Sequence, residues 1–248
     1  MIRKINSHTN QLVKHVVKLH SAKHRTEHQE YIAQGLRTIS TIINAGHKPT
    51  TLFIIENLLA DAQKIMPDDA IVIVAPSVME KMSTIQSPSG MLAIFPIPQQ
   101  PSLQSLNSGI ILAQVTDPGN AGTLIRTAAA MNKATVVFIE SVDAWNPKVV
   151  QASAGAIALV TIFTISWSEL LQHKKNLTLC ALMSAHGKNP RSVNLDNSLI
   201  IIGNEGHGIP YEWVKQCDER ITLPMPGDFE SLNAAVAGSI ALYLAATH

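Results

Sequence analysis

IILAQVTDPGNAGTLIRTAAAM, residues 110–131, decides the fold. Its first six residues are a mostly apolar run, followed by a loop carrying Pro118, Gly119 and Gly122, then a segment of helix formers. Strands buried on both faces read as near-continuous hydrophobic runs, so the order is strand, loop, helix. Similar runs recur at 135–139, 160–165, 177–182 and 199–202, and helices are expected at 121–131, 147–154 and 232–246. That alternation predicts an α/β fold with an open parallel sheet covered by helices on both faces. Ligand loops then lie at the carboxyl ends of its strands.

Working outward, FPIPQQPSLQSLNSG at 95–109 carries Pro96, Pro98 and Pro101, which break both helix and sheet as an extended linker does. The expected layout is a first domain at 1–95, a linker at 96–108 and a second domain at 109–248. In the first domain, Leu12, Val16 and Leu19 recur at helical spacing over 10–23. A second helix runs through Leu36, Ile39, Ile42 and Ile43 until Gly46 stops it. Apolar runs at 51–55, 70–75 and 91–95 alternate with helical stretches near 58–66 and 76–82. This predicts a small α/β domain.

The chain has 248 residues, 46% apolar and 15% charged, enough for a sizeable core and against wholesale disorder. No apolar run approaches the length of a membrane span, and the polar start does not read as a signal peptide. Two cysteines make neither a disulfide framework nor a zinc pattern, so a soluble cytoplasmic protein is expected. The net charge of +1 conceals an asymmetry. Residues 1–37 hold seven Lys/Arg (Arg3, Lys4, Lys14, Lys18, Lys23, Arg25 and Arg37) against two Glu, whereas the remainder holds 12 basic and 16 acidic residues. Such a block is a footprint for a polyanion such as RNA, DNA or a membrane surface, or else simply a solvated face.

Three loops carry the candidate chemistry. In the first, Asn120 can cap the helix or meet a ligand, and Arg126 lies inside the following helix. The second, IIGNEGHGIP at 201–210, is rich in glycine but is neither a P-loop nor a dinucleotide fingerprint. Glu205 at its centre disfavours a phosphate and favours hydroxyl, amine or sulfonium groups. The third, LPMPGDFESLNAAVAGSIALYLAA at 223–246, leads from Pro224 and Pro226 to Ser231, expected as the cap of the last helix. Small residues four apart in that helix point to close packing, inside the fold or across a dimer. No GxSxG elbow surrounds Ser231, which argues against a hydrolase.

Together, Asn120-Ala-Gly-Thr-Leu-Ile-Arg126, Gly203-Asn-Glu205-Gly206 and Leu223-Pro-Met225 through Ser231-Leu232-Asn233 resemble, in order, the three motifs of the SpoU (TrmH-like) RNA ribose 2′-O-methyltransferases. The opening SHTNQLVKHVVKLHSAKHR and YIAQGLR are similar to the substrate-binding domain that rRNA-directed members carry. The resemblance implies a SPOUT-type α/β domain with a C-terminal deep trefoil knot, preceded by a small L30e-like α/β domain. It also implies S-adenosylmethionine as cofactor, a homodimer, and RNA as partner, rRNA ahead of tRNA, rather than DNA or a membrane. Gly203, Glu205, Gly206, Leu223, Met225 and Leu232 would meet the cofactor. Asn120, Arg126, Glu205, Ser231 and Asn233 would form the catalytic group. Lys14, Lys18, Lys23, Arg25 and Arg37 would meet RNA.

A ribose hydroxyl must lose its proton as it attacks an electrophilic methyl. Arginine stays protonated at any ordinary pH, so Arg126 is better suited to holding a phosphate and steadying developing negative charge than to acting as base. The chain departs from the family where it has Gln151 in place of a common Arg and Gln34 in place of a common Glu. Either change weakens RNA contact or is neutral drift. His20, His24 and His28 are four apart, but with a helix ending near Arg25 and no completing ligand set, no metal is expected. Trp145, Trp167 and Trp213 are expected to pack rather than stack on bases. A non-catalytic RNA-binding paralogue is the competing reading, supported by Gln151 and opposed by the intact Asn120, Arg126, Ser231 and Asn233.

Overall fold

The computed structural model describes residues 2–227 and 231–247. They form two compact units, residues 2–99 with 145–158, and residues 100–144 with 159–247. Segment 145–158 thus joins the first unit, although its sequence neighbours belong to the second.

The first unit begins with β1 (Arg3–Ile5), α1 (Gln11–Lys18) and α2 (Ala22–His28), then β2 (Glu30–Gln34), α3 (Leu36–Asn44) and β3 (Thr51–Ile54). After α4 (Leu59–Ala62) come β4 (Ile71–Val74), α5 (Pro76–Met82) and β5 (Met91–Pro96). The strands form a mixed sheet in the order β1-β4-β3-β5-β2, with β5 antiparallel to both its neighbours. Alternate strand residues Ile32, Phe53, Val72, Val74, Leu92 and Ile94 form one core with Val13, Val16 and Leu19 and with Val78, Met79 and Met82 of α5. The period of two along each strand puts that set on a single face.

The single helix expected over 10–23 is two helices. Asn10 caps α1, accepting from Leu12 N at 2.9 Å, and the chain turns after Lys18. Arg25 reaches back to this turn, its Nη1 donating to the carbonyls of Leu19 and His20 at 2.9 Å each. Only 2% of Arg25 is exposed. Its placement among the RNA-contacting residues is therefore corrected: the guanidinium satisfies carbonyls left open where α1 ends. Gln34 is equally structural, donating to Thr84 Oγ1 at 2.7 Å and accepting from Ser83 Oγ at 2.6 Å. A carboxylate there could accept from both hydroxyls but could not donate.

The second unit runs through β6 (Gly109–Ala113), α6 (Pro118–Ala130) and β7 (Thr135–Ile139). The chain then contributes α7 (Pro147–Ala152) to the first unit. Trp145 packs on buried Tyr31 with ring centroids 4.8 Å apart and the planes tilted by 39°, and Gly155 admits no Cβ because Thr38 O would lie 2.7 Å from it. Both contacts fix the excursion to the first unit. Back in the second unit follow β8 (Thr161–Thr164), α8 (Trp167–His173), β9 (Thr178–Met183), β10 (Ser198–Ile202), α9 (Tyr211–Val214), β11 (Glu219–Thr222) and α10 (Ala234–Ala246).

All six strands of this sheet are parallel, in the order β11-β9-β10-β6-β7-β8. Every residue of β6, β7 and β10 is buried, as the apolar runs predicted. Trp167 and Trp213 stack at 4.8 Å, with Trp167 in the core beside Leu170, so these rings do pack. On α10, Gly238, Ala241 and Ala245 are buried, so these small residues pack inside the fold, whereas Ala234 and Ala237 are half-buried. A Cβ on Gly238 would lie 2.6 Å from Leu124 Cδ2 of α6 and 2.9 Å from Ile202 Cδ1 of β10. Strand order reverses between β6 and β10: the chain leaves β6 toward β7 and leaves β10 toward the β11 edge. A crevice for a ligand opens at such a switch point, beyond the carboxyl ends of the two strands.

Candidate active site

Two of the three loops start at that crevice. After β6 the chain turns through Gln114 (φ 58°), and Asp117 caps α6 by accepting from Asn120 N at 2.7 Å. The cap is thus Asp117, which leaves the Asn120 side chain free to act elsewhere. After β10 the loop 203–209 closes on itself, with Asn204 and Gly208 exchanging N–H···O bonds of 3.0 Å. Gly203 makes the closure possible, since a Cβ would lie 2.4 Å from both Gly208 C and Ile209 N. Asn204 accepts from Gly206 N at 2.8 Å and donates to Gln114 O at 2.8 Å, tying the second loop to the first.

Glu205 completes the tie. Its carboxylate accepts from Asn120 Nδ2 at 2.9 Å, Asp117 N at 3.3 Å, Thr116 Oγ1 at 3.3 Å and Thr116 N at 3.4 Å. Burial pushes its pKa up, but hydrogen bonds from Asn120 and from backbone N–H groups outweigh that and lower it. A carboxylate so supplied with donors is a weak base, better suited to holding loops together than to taking a proton.

The third loop joins through Asn233. Its Nδ2 donates to Asn120 Oδ1 at 3.1 Å, while its Oδ1 accepts from Ala235 N and Val236 N as the cap of α10. The helix therefore starts at Ala234 with Asn233 as cap, not at 232 with Ser231. Each side chain in the row Asn233–Asn120–Glu205 comes from a different loop, and Asn120 is 113 residues from Asn233 and 85 from Glu205. Asp228, Phe229 and Glu230 of the third motif lie outside the described residues.

Beside this row lies a cavity of about 620 Å³. Of the expected residues, Gly203, Glu205, Gly206, Leu223, Met225, Ser231, Leu232 and Asn233 all line it. Asn120 touches two of those and does not line it. Arg126 stands apart: its exposed side chain makes no hydrogen bond or ion pair among the described residues. Six positions along α6 amount to about 600° of turn, so Arg126 leaves the helix on a different side from Asn120. Lys14, Lys18, Lys23 and Arg37 are exposed on the first unit, their side chains likewise without hydrogen bond or ion pair there.

Sequence reasoning missed the cavity wall formed by Leu182, Met183 and Ser184 at the end of β9. The apolar run 177–182 marks that strand, and the rule placing sites at carboxyl ends points to this wall. It also missed His207, whose Nε2 lies 3.0 Å from Gln114 Oε1, and the further bond from Gln114 Nε2 to Glu140 Oε2 at 2.7 Å. No spacing in the sequence signals that chain.

With this geometry, comparison with known proteins is decisive. The model of the SpoU rRNA Methylase family matches residues 107–243, more than half of the chain. The chain belongs to the SpoU rRNA methylase family. Residues 10–93 of this SpoU member match the MRM3-like substrate binding domain. An AdoMet-bound rRNA methyltransferase from Sinorhizobium meliloti has the same fold, with 25% identity, a TM-score of 0.85, and 98% of this chain and 97% of that one covered. The Bacillus subtilis 23S rRNA (guanosine(2553)-2′-O)-methyltransferase RlmP is 24% identical over 98% of both chains. The 23S rRNA (guanosine-2′-O-)-methyltransferase RlmB of Xanthomonas campestris is 33% identical over 139 residues, 54% of this chain and 56% of its own. No helix among the described residues is long and apolar enough to cross a membrane.

Proposed function

We propose that this chain transfers a methyl group from S-adenosylmethionine to a ribose 2′-hydroxyl of ribosomal RNA, with 23S rRNA as the first candidate, in the cytoplasm. The observation that carries this reading is the Asn233–Asn120–Glu205 row, which locks three separated loops around one cavity. The cavity falls in the size range of small-molecule sites. Its described lining has no Lys or Arg but does have Glu205, which suits a cationic sulfonium better than a nucleotide phosphate. When bound, S-adenosylmethionine supplies an electrophilic methyl that needs no metal to activate it.

Gly203, Gly206, Leu223, Met225 and Leu232 are proposed to hold the cofactor. Glu205, Asn120 and Asn233 keep the loops in register, so that the attacking hydroxyl meets the methyl group in line and with water excluded. Arg126, exposed on the surface of α6, holds a backbone phosphate and steadies negative charge growing on the ribose oxygen. Ser231, exposed at the cavity mouth, is left to contact the ribose.

Three further features belong to this reading. A deep trefoil knot is supported by α10, which packs on α6, on β10 and on the turn Pro190–Ser192 between β9 and β10, although β11 before it lies at the far edge of the sheet. A homodimer is supported by Val236, Ile240 and Tyr243, which leave 47%, 39% and 55% of their surface exposed along one side of α10. The first unit, with its mixed sheet and exposed Lys14, Lys18, Lys23 and Arg37, is proposed as an L30e-like domain that grips RNA phosphates.

The test is methyl transfer from labelled S-adenosylmethionine to total RNA of a strain lacking the gene, fractionated into rRNA and tRNA. Alkali-resistant label at a single ribose of rRNA, absent with Arg126→Ala, is the expected result. Label in tRNA alone would move the substrate. Absence of both label and cofactor binding would leave an RNA-binding paralogue.

A further inference from the structure

Among the described residues, a gathering of metal-ligating side chains outside the cavity lies at the end of α2. One ligand atom each from His24, Glu27 and His28 lies within 4.8 Å of the other two. The expectation of no metal assumed a helix ending near Arg25 and no carboxylate in the set. Instead α2 continues to His28, and the carboxylate is Glu27. Histidines four apart on one helix face form a chelating pair, and a residue three along from the first lies on the same side.

Two observations distinguish this cluster from an ordinary histidine-rich surface. His24 Nδ1 is buried without a hydrogen-bond partner, although a Glu27 oxygen is only 3.3 Å away. The approach is not aligned as a hydrogen bond, so the imidazole nitrogen is left unsatisfied beside an exposed carboxylate oxygen. That separation is also the spacing that a tetrahedral zinc ion imposes: with bonds near 2.0–2.1 Å, neighbouring ligand atoms stand about 3.3 Å apart. In addition, the His28 ring is already positioned. It stacks on His24 at 6.2 Å and receives the edge of His15 at 4.9 Å, and His15 Nε2 is anchored 2.6 Å from Glu30 Oε2.

We infer that His24, Glu27 and His28 bind a divalent transition-metal ion, zinc by preference, leaving a fourth position to water. Two imidazoles and one carboxylate are a borderline-soft set that favours zinc over magnesium or calcium. His28 and Glu27 are exposed, and no ligand atom of the three stands more than 4.8 Å from another. His15 acts as a positioning residue for His28. The ion would tie down the last turn of α2, just before Gln29 takes up the left-handed conformation (φ 53°) that leads into β2. This inference stands independently of the methyltransferase reading, because α2 belongs to the first unit and no residue of the cluster lines the cavity.

The test titrates zinc alone into the full-length protein, stripped with chelator, and follows binding by calorimetry and by the visible absorption of cobalt as a tetrahedral probe. One ion per chain is expected, with affinity falling at least about tenfold in His24→Ala and in Glu27→Gln and staying unchanged in His186→Ala. Hydrogen exchange should slow over residues 22–28 when zinc is added. Glu27→Gln, an exposed and nearly isosteric change, keeps the test decisive if His24→Ala fails to fold. Absence of saturable binding would overturn the site, and so would binding that His24→Ala and Glu27→Gln leave unaltered.

Discussion

In the second unit six parallel strands point their carboxyl ends the same way, and polar side chains from three loops meet there in one hydrogen-bonded row. In the first unit the antiparallel placing of β5 sends strand ends in both directions. Two of its buried polar groups, Arg25 and Gln34, finish helix and loop ends locally. A parallel sheet collects its loops on one rim and so makes a cavity, whereas a mixed sheet disperses them and leaves function to exposed helix surfaces. Chemistry should therefore be sensitive to small changes in the second unit. The first should register comparable changes as stability or RNA affinity.

The largest expected effect is that of Gly203→Ala. Its Cβ would strike the backbone of Gly208 and Ile209, so the loop must open. Displacing the loop should weaken cofactor binding, and misplacing the methyl group by an ångström should cost transfer rate about a hundredfold. Equilibrium binding and circular dichroism would check this, and normal binding by a folded variant would break the comparison at its centre. Next comes Glu205→Gln, which keeps one accepting oxygen and sets an NH₂ among donors. Transfer rate should fall about tenfold to a hundredfold with near-normal melting, because the loss is of alignment rather than of core.

Gly238→Ala tests packing in the same unit. Its methyl group would meet Leu124 and Ile202, and thermal unfolding should show a loss of about 1–3 kcal/mol with cofactor affinity little changed. In the first unit, Gln34→Leu leaves Ser83 and Thr84 to find water and should cost about 1 kcal/mol. Cofactor affinity should not move at all; a parallel loss would show the two units to be coupled.

The smallest effect concerns pH. Glu205 and Asp218 both have lowered pKa values: burial raises each, but donors outweigh it, Asn120 and backbone N–H groups for Glu205, and Leu179 N–H with Lys174 for Asp218. A depressed carboxyl contributes stability above its unfolded pKa and loses that contribution as pH falls through the folded value. Melting temperatures measured downward from neutral pH should drop across the acid carboxylate range, and Glu205→Gln should flatten part of that slope.

The sequence by itself determined the parallel sheet. Continuous apolar runs at β6, β7 and β10 can only be buried on both faces, and loops at their ends follow from chain direction. It also determined which loops carry the site, since glycines, Asn120 and Glu205 are legible as residue types. Shorter elements escaped it: β1 and β11 bury only Ile5 and Ile221 respectively, too little for a period to register. The break between α1 and α2 was hidden because Arg25, charged and apparently a surface residue, is spent on carbonyls that become available only once the helix has turned. Partnership was decided by tertiary structure alone. That Asn120 lies between Glu205 and Asn233, that Asn233 rather than Ser231 caps α10, and that His24 Nδ1 faces Glu27 unbonded all depend on where separated segments come to rest. Hydrogen bonds act over about 3 Å, and no spacing along a chain encodes a distance that short between residues so far apart.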